Sequence, residues 1–281
     1  MKLPWKAIAA WYRAHGRDLP WRRTDDPYRI AVSEFMLQQT QVDRVAPLFK
    51  KFVAAFPSWK KLAEAPQADV VRAWKGLGYN MRAVRLRNMA GEIVARHDGL
   101  LPENAEALLA LKGIGPYTAR AIRAFAFRKR ALAPDTNLRR VLYRFFKGPA
   151  ADPKTFDERS WLLWEQTLPE HLSYEVNQGL MDIGATICKA GRPFCMECPL
   201  KTLCRSYPRI LKVKTLPKQK PARKERVDAD GIPNRIYRGR VIETLRKGPA
   251  AEKDLAGLLH VLPGLEKDGL IKRKNGRWVL A

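Results

Sequence analysis

All four cysteines of the 281-residue chain fall in one short stretch, as Cys188, Cys195, Cys198 and Cys204, with the spacing C-x6-C-x2-C-x5-C. A segment that gathers every thiol of a chain must fold back on itself around whatever those thiols hold. Four thiolates ligate one tetrahedral Zn²⁺ or the four irons of a [4Fe–4S] cube. Two disulfides are the competing use, and they need an oxidising compartment. The first seventeen residues carry Trp5, Ile8, Trp11 and Tyr12 at helical spacing, without a long apolar run. No stretch approaches eighteen uninterrupted apolar residues, so neither a signal peptide nor a membrane span is expected. The setting expected is cytoplasmic, in association with the nucleoid, where clustered thiols bind metal.

Charge narrows the partner. Lys and Arg number 53 against 28 Asp and Glu, a formal net charge of +25. Solubility needs far less, and a field of this sign draws a polyanion. Nucleic acid is favoured over a membrane surface or an acidic protein, since no amphipathic membrane helix is evident.

Segments 46–56, 67–74, 82–97, 105–111 and 118–127 place apolar residues at i, i+3, i+4 and i+7, the mark of half-buried helices. Pro57, Pro66, Gly76, Gly78, Gly99 and Pro102 separate them. The fold class expected is all-α over residues 1–205. Residues 206–230 mix Pro208, Pro217 and Pro221 with many lysines and arginines, and read as a basic tether. Residues 231–281 change character: a helix at 236–245, a second at 251–259, a short third at 262–268, then two strands around Asn275-Gly276. That order is the one of a small winged-helix-like domain. Lys272, Arg273, Lys274 and Arg277 at its hairpin favour contact with duplex DNA.

Two constellations carry chemistry. Leu111-Lys-Gly-Ile-Gly-Pro-Tyr-Thr-Ala sits between helical segments, and Gly113 and Gly115 leave its backbone bare. The N–H groups at the start of the next helix can then hold a phosphate oxygen. This is a helix-hairpin-helix pattern, which grips DNA backbone without reading sequence. About twenty residues on, Ala133-Pro-Asp-Thr-Asn-Leu places Asp135 at a helix start, where an aspartate also serves as a plain N-cap.

Hairpin, aspartate and four-cysteine loop, in that order, resemble the helix-hairpin-helix DNA glycosylases of the endonuclease III and MutY type. The resemblance runs from about Leu3 to Cys204 and implies that the cysteines hold a [4Fe–4S] cluster. It divides the core into a six-helix part at about 22–133 and an iron–sulfur part at 1–21 and 134–205. Leu19-Pro-Trp-Arg, Asp26-Pro-Tyr, Ser33-Glu-Phe-Met-Leu-Gln-Gln-Thr-Gln-Val and Gly76-Leu-Gly-Tyr are similar to the signatures of the MutY, adenine-excising branch.

The resemblance implies roles residue by residue. Glu34 protonates the adenine ring nitrogen N7, and Asp135 stabilises the oxocarbenium-like sugar with Asn137 beside it. Two carboxyl groups with opposite protonation tasks need environments that push them apart, so Glu34 is expected to be buried and protonated. Tyr117 stands where bifunctional relatives carry a lysine nucleophile. A phenol forms no Schiff base, so a monofunctional enzyme is expected. Gln39 and Tyr79 match residues that wedge into the duplex as the base flips out. Arg17, Trp21, Arg22, Leu37 and Gln178 match the adenine-pocket positions, and Thr40 the contacts around the opposite base. Lys189, Arg192, Lys201 and Arg205 are expected to meet phosphates from the cysteine loop. The partner implied is duplex DNA with a damaged or mismatched base, bound by a monomer, with no membrane involved.

The chain also departs from the pattern. Residues 231–281 are too short for the Nudix-related domain that reads 8-oxoguanine in typical members. Asn80 replaces the second tyrosine of a common Gly-Tyr-Tyr, Thr136 replaces a common glycine, and Tyr117 replaces a serine and is similar to thymine-mismatch relatives. Three readings follow: excision of adenine from 8-oxoG:A or G:A, excision of thymine or hypoxanthine on the same fold, or a non-catalytic iron–sulfur DNA-binding regulator.

Overall fold

Apolar residues recurring every third or fourth position coil into helices along this chain, and Pro or Gly closes them. The computed structural model describes residues 3–149, 158–213, 227 and 231–281. The helices are α1 (Trp5–His15), α2 (Pro27–Leu37), α3 (Val42–Ala55), α4 (Trp59–Glu64), α5 (Gln67–Ala73), α6 (Met81–Arg96), α7 (Ala105–Ala110), α8 (Pro116–Phe125), α9 (Thr136–Phe146), α10 (Glu158–Thr167), α11 (Ser173–Asp182), α12 (Asn234–Lys247) and α13 (Leu262–Lys267). Strands β1 (Ile271–Lys274) and β2 (Arg277–Leu280) follow the last helix. Up to residue 213 the described residues hold helices and turns without a strand, so the all-α reading of the body stands.

The chain divides into two units. The first comprises Met1–Ile30, Glu103–Leu109 and Ile114–Lys220. Its core joins Trp5 and Ile8 of α1, Leu138 and Leu142 of α9, and Val176 and Leu180 of α11, with the cysteine loop packed on its edge. Each such side chain contributes roughly 1.5–3 kcal/mol on leaving water. Residues 206–213, expected as the start of the tether, belong to this unit and are folded. Arg209–Lys212 forms a 3₁₀ turn, Ile210 is buried, and the Ser206 hydroxyl donates to the Arg144 carbonyl at 2.6 Å. The rest of the expected tether, apart from Val227, lies outside the described residues.

The second unit comprises Ala31–Pro102, Ala110–Gly113 and Pro221–Ala281. Here α4 packs on α6, and Phe52 meets Phe56 and the edge of Trp74 with ring centroids 5.0 and 5.5 Å apart. The C-terminal fifty residues share this unit. Val241, Leu245, Leu255, Leu265 and Trp278 form one core with Val71 of α5 and Val84 of α6. A domain of fifty residues has too little apolar interior of its own, and this one completes its core on the helices beside it.

Within those residues the hairpin pairs Ile271 with Leu280 and Lys274 with Arg277. Asn275 and Gly276 turn it with φ of +50° and +71°, as a two-residue turn of this composition requires. The helix expected at 251–259 is replaced by a 3₁₀ turn, Glu252–Leu255. Asp254 caps that turn by accepting from the Ala251 N–H at 2.8 Å, and Gly257 breaks the chain at φ +76°.

Candidate active site and metal centre

In the second unit Glu34 sits on α2, one turn before its end, and is buried at 5% exposure. The chain leaving α2 is gripped by a buried arginine. The terminal nitrogens of Arg82, on α6, donate to the carbonyls of Phe35 and Met36 at 2.9 Å each and also reach that of Gln38. They further meet Leu77 O at 2.9 Å, Gly78 O at 3.1 Å and the Thr40 hydroxyl at 3.0 Å. These carbonyls are the orphan acceptors of a helix C-terminus and a tight turn, which need donors when buried. Burial lowers the Arg82 pKa to about 10, so it keeps its charge at neutral pH. Thr40, matched by resemblance to contacts around the opposite base, has its hydroxyl inside this clamp.

The clamp carries Gln39 and Tyr79 on its two sides. Both have left-handed backbones, with φ of +57° and +45°, a conformation costing about 1–3 kcal/mol in a non-glycine residue. Gln39 is exposed and Tyr79 is 49% exposed. The Arg82 guanidinium lies 5.7 Å from the Tyr79 ring centroid. Leu37 is half-buried at the end of α2. Gly113 also lies in this unit, with φ +106°, and a Cβ there would meet the Phe35 ring at 3.2 Å.

In the first unit Gly115 is the N-cap of α8. Gly115 and Pro116 are exposed, so the helix start is accessible. Tyr117, on the first turn of α8, packs against the cluster of Ile30, Ala121 and Phe125.

Asp135 is the N-cap of α9. One carboxylate oxygen accepts from the Leu138 N–H at 2.6 Å, the other from the Asn137 side-chain amide at 3.0 Å. Burial raises its pKa, while these hydrogen bonds and the nearby Arg140 guanidinium pull it back. Arg140 is itself buried. It donates to Asn137 Oδ1, Gly184 O and Cys188 O, each at 2.7 Å. A bracket therefore runs from the cysteine loop through Arg140 and Asn137 to Asp135. Gly184 makes it possible, because a Cβ there would lie 2.5 Å from the Asn137 Cβ. Gly184 lies in a π-helical turn, Ile183–Ile187, that extends α11 into Cys188, and such turns mark functional segments.

Arg17 and Arg22 converge on Asp182, which is fully buried at the end of α11. Arg17 reaches it with its backbone N–H at 2.9 Å and its Nε at 2.6 Å. Arg22 reaches it with two nitrogens at 2.7 and 2.9 Å. The two guanidinium groups outweigh burial and hold the Asp182 carboxyl below its ordinary value. Trp21 and Gln178 are buried at 7% and 4% exposure. Gln178 lies one helical turn before Asp182 on α11. Sequence reasoning missed Asp182, Arg140 and Arg82. The i, i+4 spacing of Gln178 and Asp182 was the one available signal, since side chains so placed share a helix face.

The four cysteines are free thiols and line one cavity with Arg144, Ile187 and Tyr207. Burial raises the pKa of Cys195, Cys198 and Cys204, that of Cys198 to about 12, and each is raised further by the charge of neighbouring cysteines. Among the described residues no trio of His, Cys, Asp or Glu makes a site for a single metal ion. Arg144 donates to the Cys188 Sγ at 3.5 Å and to Lys189 O and Ala190 O at 2.6 and 2.9 Å. A positive donor against sulfur suits a thiolate-held centre of net negative charge. Four thiols around one cavity form a donor set that fits a thiolate-held metal centre.

Residues 32–166 match the family model of the HhH-GPD superfamily of base excision DNA repair proteins. The adenine DNA glycosylase of Mycobacterium tuberculosis is 37% identical over 97% of this chain and 92% of its own length. A match that long takes in most of residues 231–281 as well. Among solved structures, a thermostable thymine-DNA glycosylase superposes with a TM-score of 0.68 at 31% identity, covering 73% of this chain and 95% of that one. An endonuclease III structure solved with DNA shares the fold, with a TM-score of 0.63 at 19% identity over 74% of this chain and 95% of that one. The chain belongs to the adenine DNA glycosylase family of that superfamily.

Proposed function

We propose that this protein is a monofunctional DNA glycosylase that removes a mispaired adenine from duplex DNA, opposite 8-oxoguanine or guanine. The observation that carries this reading is a pair of carboxyl groups held in different ways. Glu34 is buried on α2. Burial raises the pKa of Asp135, while its hydrogen bonds from Leu138 and Asn137 and the Arg140 charge oppose that rise. In the reaction Glu34 gives its proton to adenine N7. The bond from sugar C1′ to N9 breaks, and its electron pair leaves with the base. The carboxylate of Asp135 stabilises the resulting oxocarbenium charge, and water adds at C1′ with loss of a proton. Preorganised charge of this kind supplies a large share of such a barrier reduction. Tyr117 offers no amine, so the abasic product leaves without β-elimination.

Cys188, Cys195, Cys198 and Cys204 would hold a [4Fe–4S] cluster, which supplies a structural cross-link and no open coordination position. This chain's own residues then do the positioning, through Arg140 to Asn137 and Asp135. The exposed helix start at Gly115, together with Lys189, Arg192 and Arg205, would meet DNA phosphates, and the enzyme would act as a monomer on chromosomal DNA. No helix of the described residues is long and apolar enough to cross a membrane.

The test is excision from duplexes carrying 8-oxoG:A, G:A, G:T and hypoxanthine-containing pairs, with and without alkaline cleavage of the product. Adenine release that yields strand breaks only after alkali is expected. Efficient borohydride trapping of a protein–DNA adduct, or release of thymine in preference to adenine, contradicts the proposal. The second outcome would favour thymine, a reading supported by Tyr117 and by the likeness to the thymine-DNA glycosylase structure.

A further inference from the structure

Residues 231–281 hold α5 near both of its ends. At its start, the Gln67 side-chain amide donates to Gly269 O at 2.5 Å. Near its end, Val71 O accepts from a terminal nitrogen of Arg246, on α12, at 2.8 Å. In a continuing helix that carbonyl would receive the Lys75 N–H, which here donates to Arg72 O at 3.1 Å. Arg246 thus supplies a donor that a helix C-terminus lacks. The same nitrogen donates to Asn80 Oδ1 at 2.9 Å. Asn80 is the residue that departs from the family's tyrosine, and it is the N-cap of α6. One guanidinium therefore joins the end of α5 to the start of α6. Its side chain is buried at 7% exposure and pairs with the half-exposed Glu243.

The segment bracketed in this way needs support. Gly76, Gly78 and Tyr79 have φ of +88°, +69° and +45°, and a non-glycine residue keeps a left-handed backbone only where its surroundings over-determine it. Within the turn, Leu77 O and Gly78 O accept from Arg82. The same guanidinium holds Phe35 O and Met36 O, the carbonyls that follow Glu34 on α2. Arg246 thus fastens the two ends of the turn, and Arg82 ties its middle to α2. Other arginines of the C-terminal residues are spent among themselves. Arg238 pairs with Asp268, and Arg273 with Glu252.

We propose that Arg246 is a positioning residue for base excision, closing the turn between α5 and α6 so that the Arg82 clamp holds the end of α2, and with it Glu34, in place. Residues 231–281 then serve the excision site as a brace, through hydrogen bonds made within the protein. The inference rests on the reading of the protein as a DNA glycosylase that uses Glu34. A misplaced proton donor slows the chemical step without an equal loss of binding.

The test uses the full chain. Single-turnover excision from an 8-oxoG:A duplex gives the rate. Fluorescence anisotropy gives the affinity, on a duplex whose 2′-fluoro-deoxyadenosine resists cleavage. Hydrogen exchange reports on residues 35–40 and 74–80. Arg246→Met keeps the packed stem and removes the donors. It is expected to lower the rate by about tenfold, with affinity within about threefold of wild type. Amides of both segments are expected to exchange about tenfold faster. Arg246→Lys keeps the charge and one donor. It is expected to fall between the two, and it stands in if Arg246→Met unfolds. Leu255→Ala loosens the same C-terminal core, in which Leu255 is fully buried, and leaves the Arg246 hydrogen-bond partners in place. That variant is expected to excise within about threefold of the wild-type rate. Wild-type excision by Arg246→Met, unchanged exchange at 35–40, or an equal loss in Leu255→Ala overturns the proposal. An inactive wild type sinks the enzymatic reading instead, and exchange at 35–40 then decides by itself whether Arg246 acts on α2.

Discussion

The two carboxyl groups assigned to chemistry are each supported through one buried arginine, and the two arginines work differently. Around Glu34, Arg82 draws the end of α2 and the turn after α5 onto itself through hydrogen-bond acceptors in residues 35–40 and 77–78. Around Asp135, Arg140 reaches from α9 to Gly184 O and to Cys188 O at the start of the cysteine loop. One side is a closed clamp, complete without the cysteines. The other is a bracket whose far end rests on the segment that would hold the cluster. Glu34, the proposed proton donor, thus lies on a helix whose end is held by an arginine of α6, and Asp135, the proposed anion, lies in a bracket that ends at the cysteine loop.

Breaking the clamp has the larger effect. Arg82→Ala leaves several buried carbonyls without donors, each costing about 1–3 kcal/mol, so a loss of at least ~3 kcal/mol is expected in urea unfolding. A loss below ~1 kcal/mol would show that the clamp is ornamental. The bracket responds in its pH profile. The Arg140 charge holds down a pKa that burial raises. Arg140→Met therefore moves the acid limb of the single-turnover rate to higher pH, because Asp135 is protonated sooner as pH falls. An unmoved limb would show that Arg140 acts on Asp135 only as packing. The smallest effect is at the attachment of α12. Asn80→Tyr removes one hydrogen bond from Arg246, for about 1 kcal/mol, and is expected to speed proteolytic release of the C-terminal residues.

Much of the site was legible because its signals are local. Cysteine spacing, the Gly113 and Gly115 hairpin, and Asp135 before a helix each speak within a few residues. The Asn275-Gly276 turn was legible for the same reason. Arg82, Arg140 and Asp182 were not, since nothing local tells a buried arginine from the other basic residues of so basic a chain. Their partners lie as much as 165 positions away, as for Arg17 and Asp182. The helix expected at 251–259 failed because apolar spacing outvoted Gly257. The packing of residues 231–281 on Val71 and Val84 was not legible, because those two look like ordinary helix residues in sequence.

The central claim is that the Asp135 carboxylate, and not merely its N-cap bonds, promotes adenine release. Asp135→Asn keeps an acceptor for Leu138 and removes the charge, so single-turnover excision from an 8-oxoG:A duplex tests it directly. The rate is expected to fall by about a thousandfold or more, in the range lost with a reacting acid–base group, with duplex affinity retained. Because burial raises the Asp135 pKa, its ionised form opposes folding above that pKa, and stability grows as pH falls toward it. The variant should therefore melt at a higher temperature than wild type at neutral pH. Excision by Asp135→Asn at the wild-type rate would contradict the account.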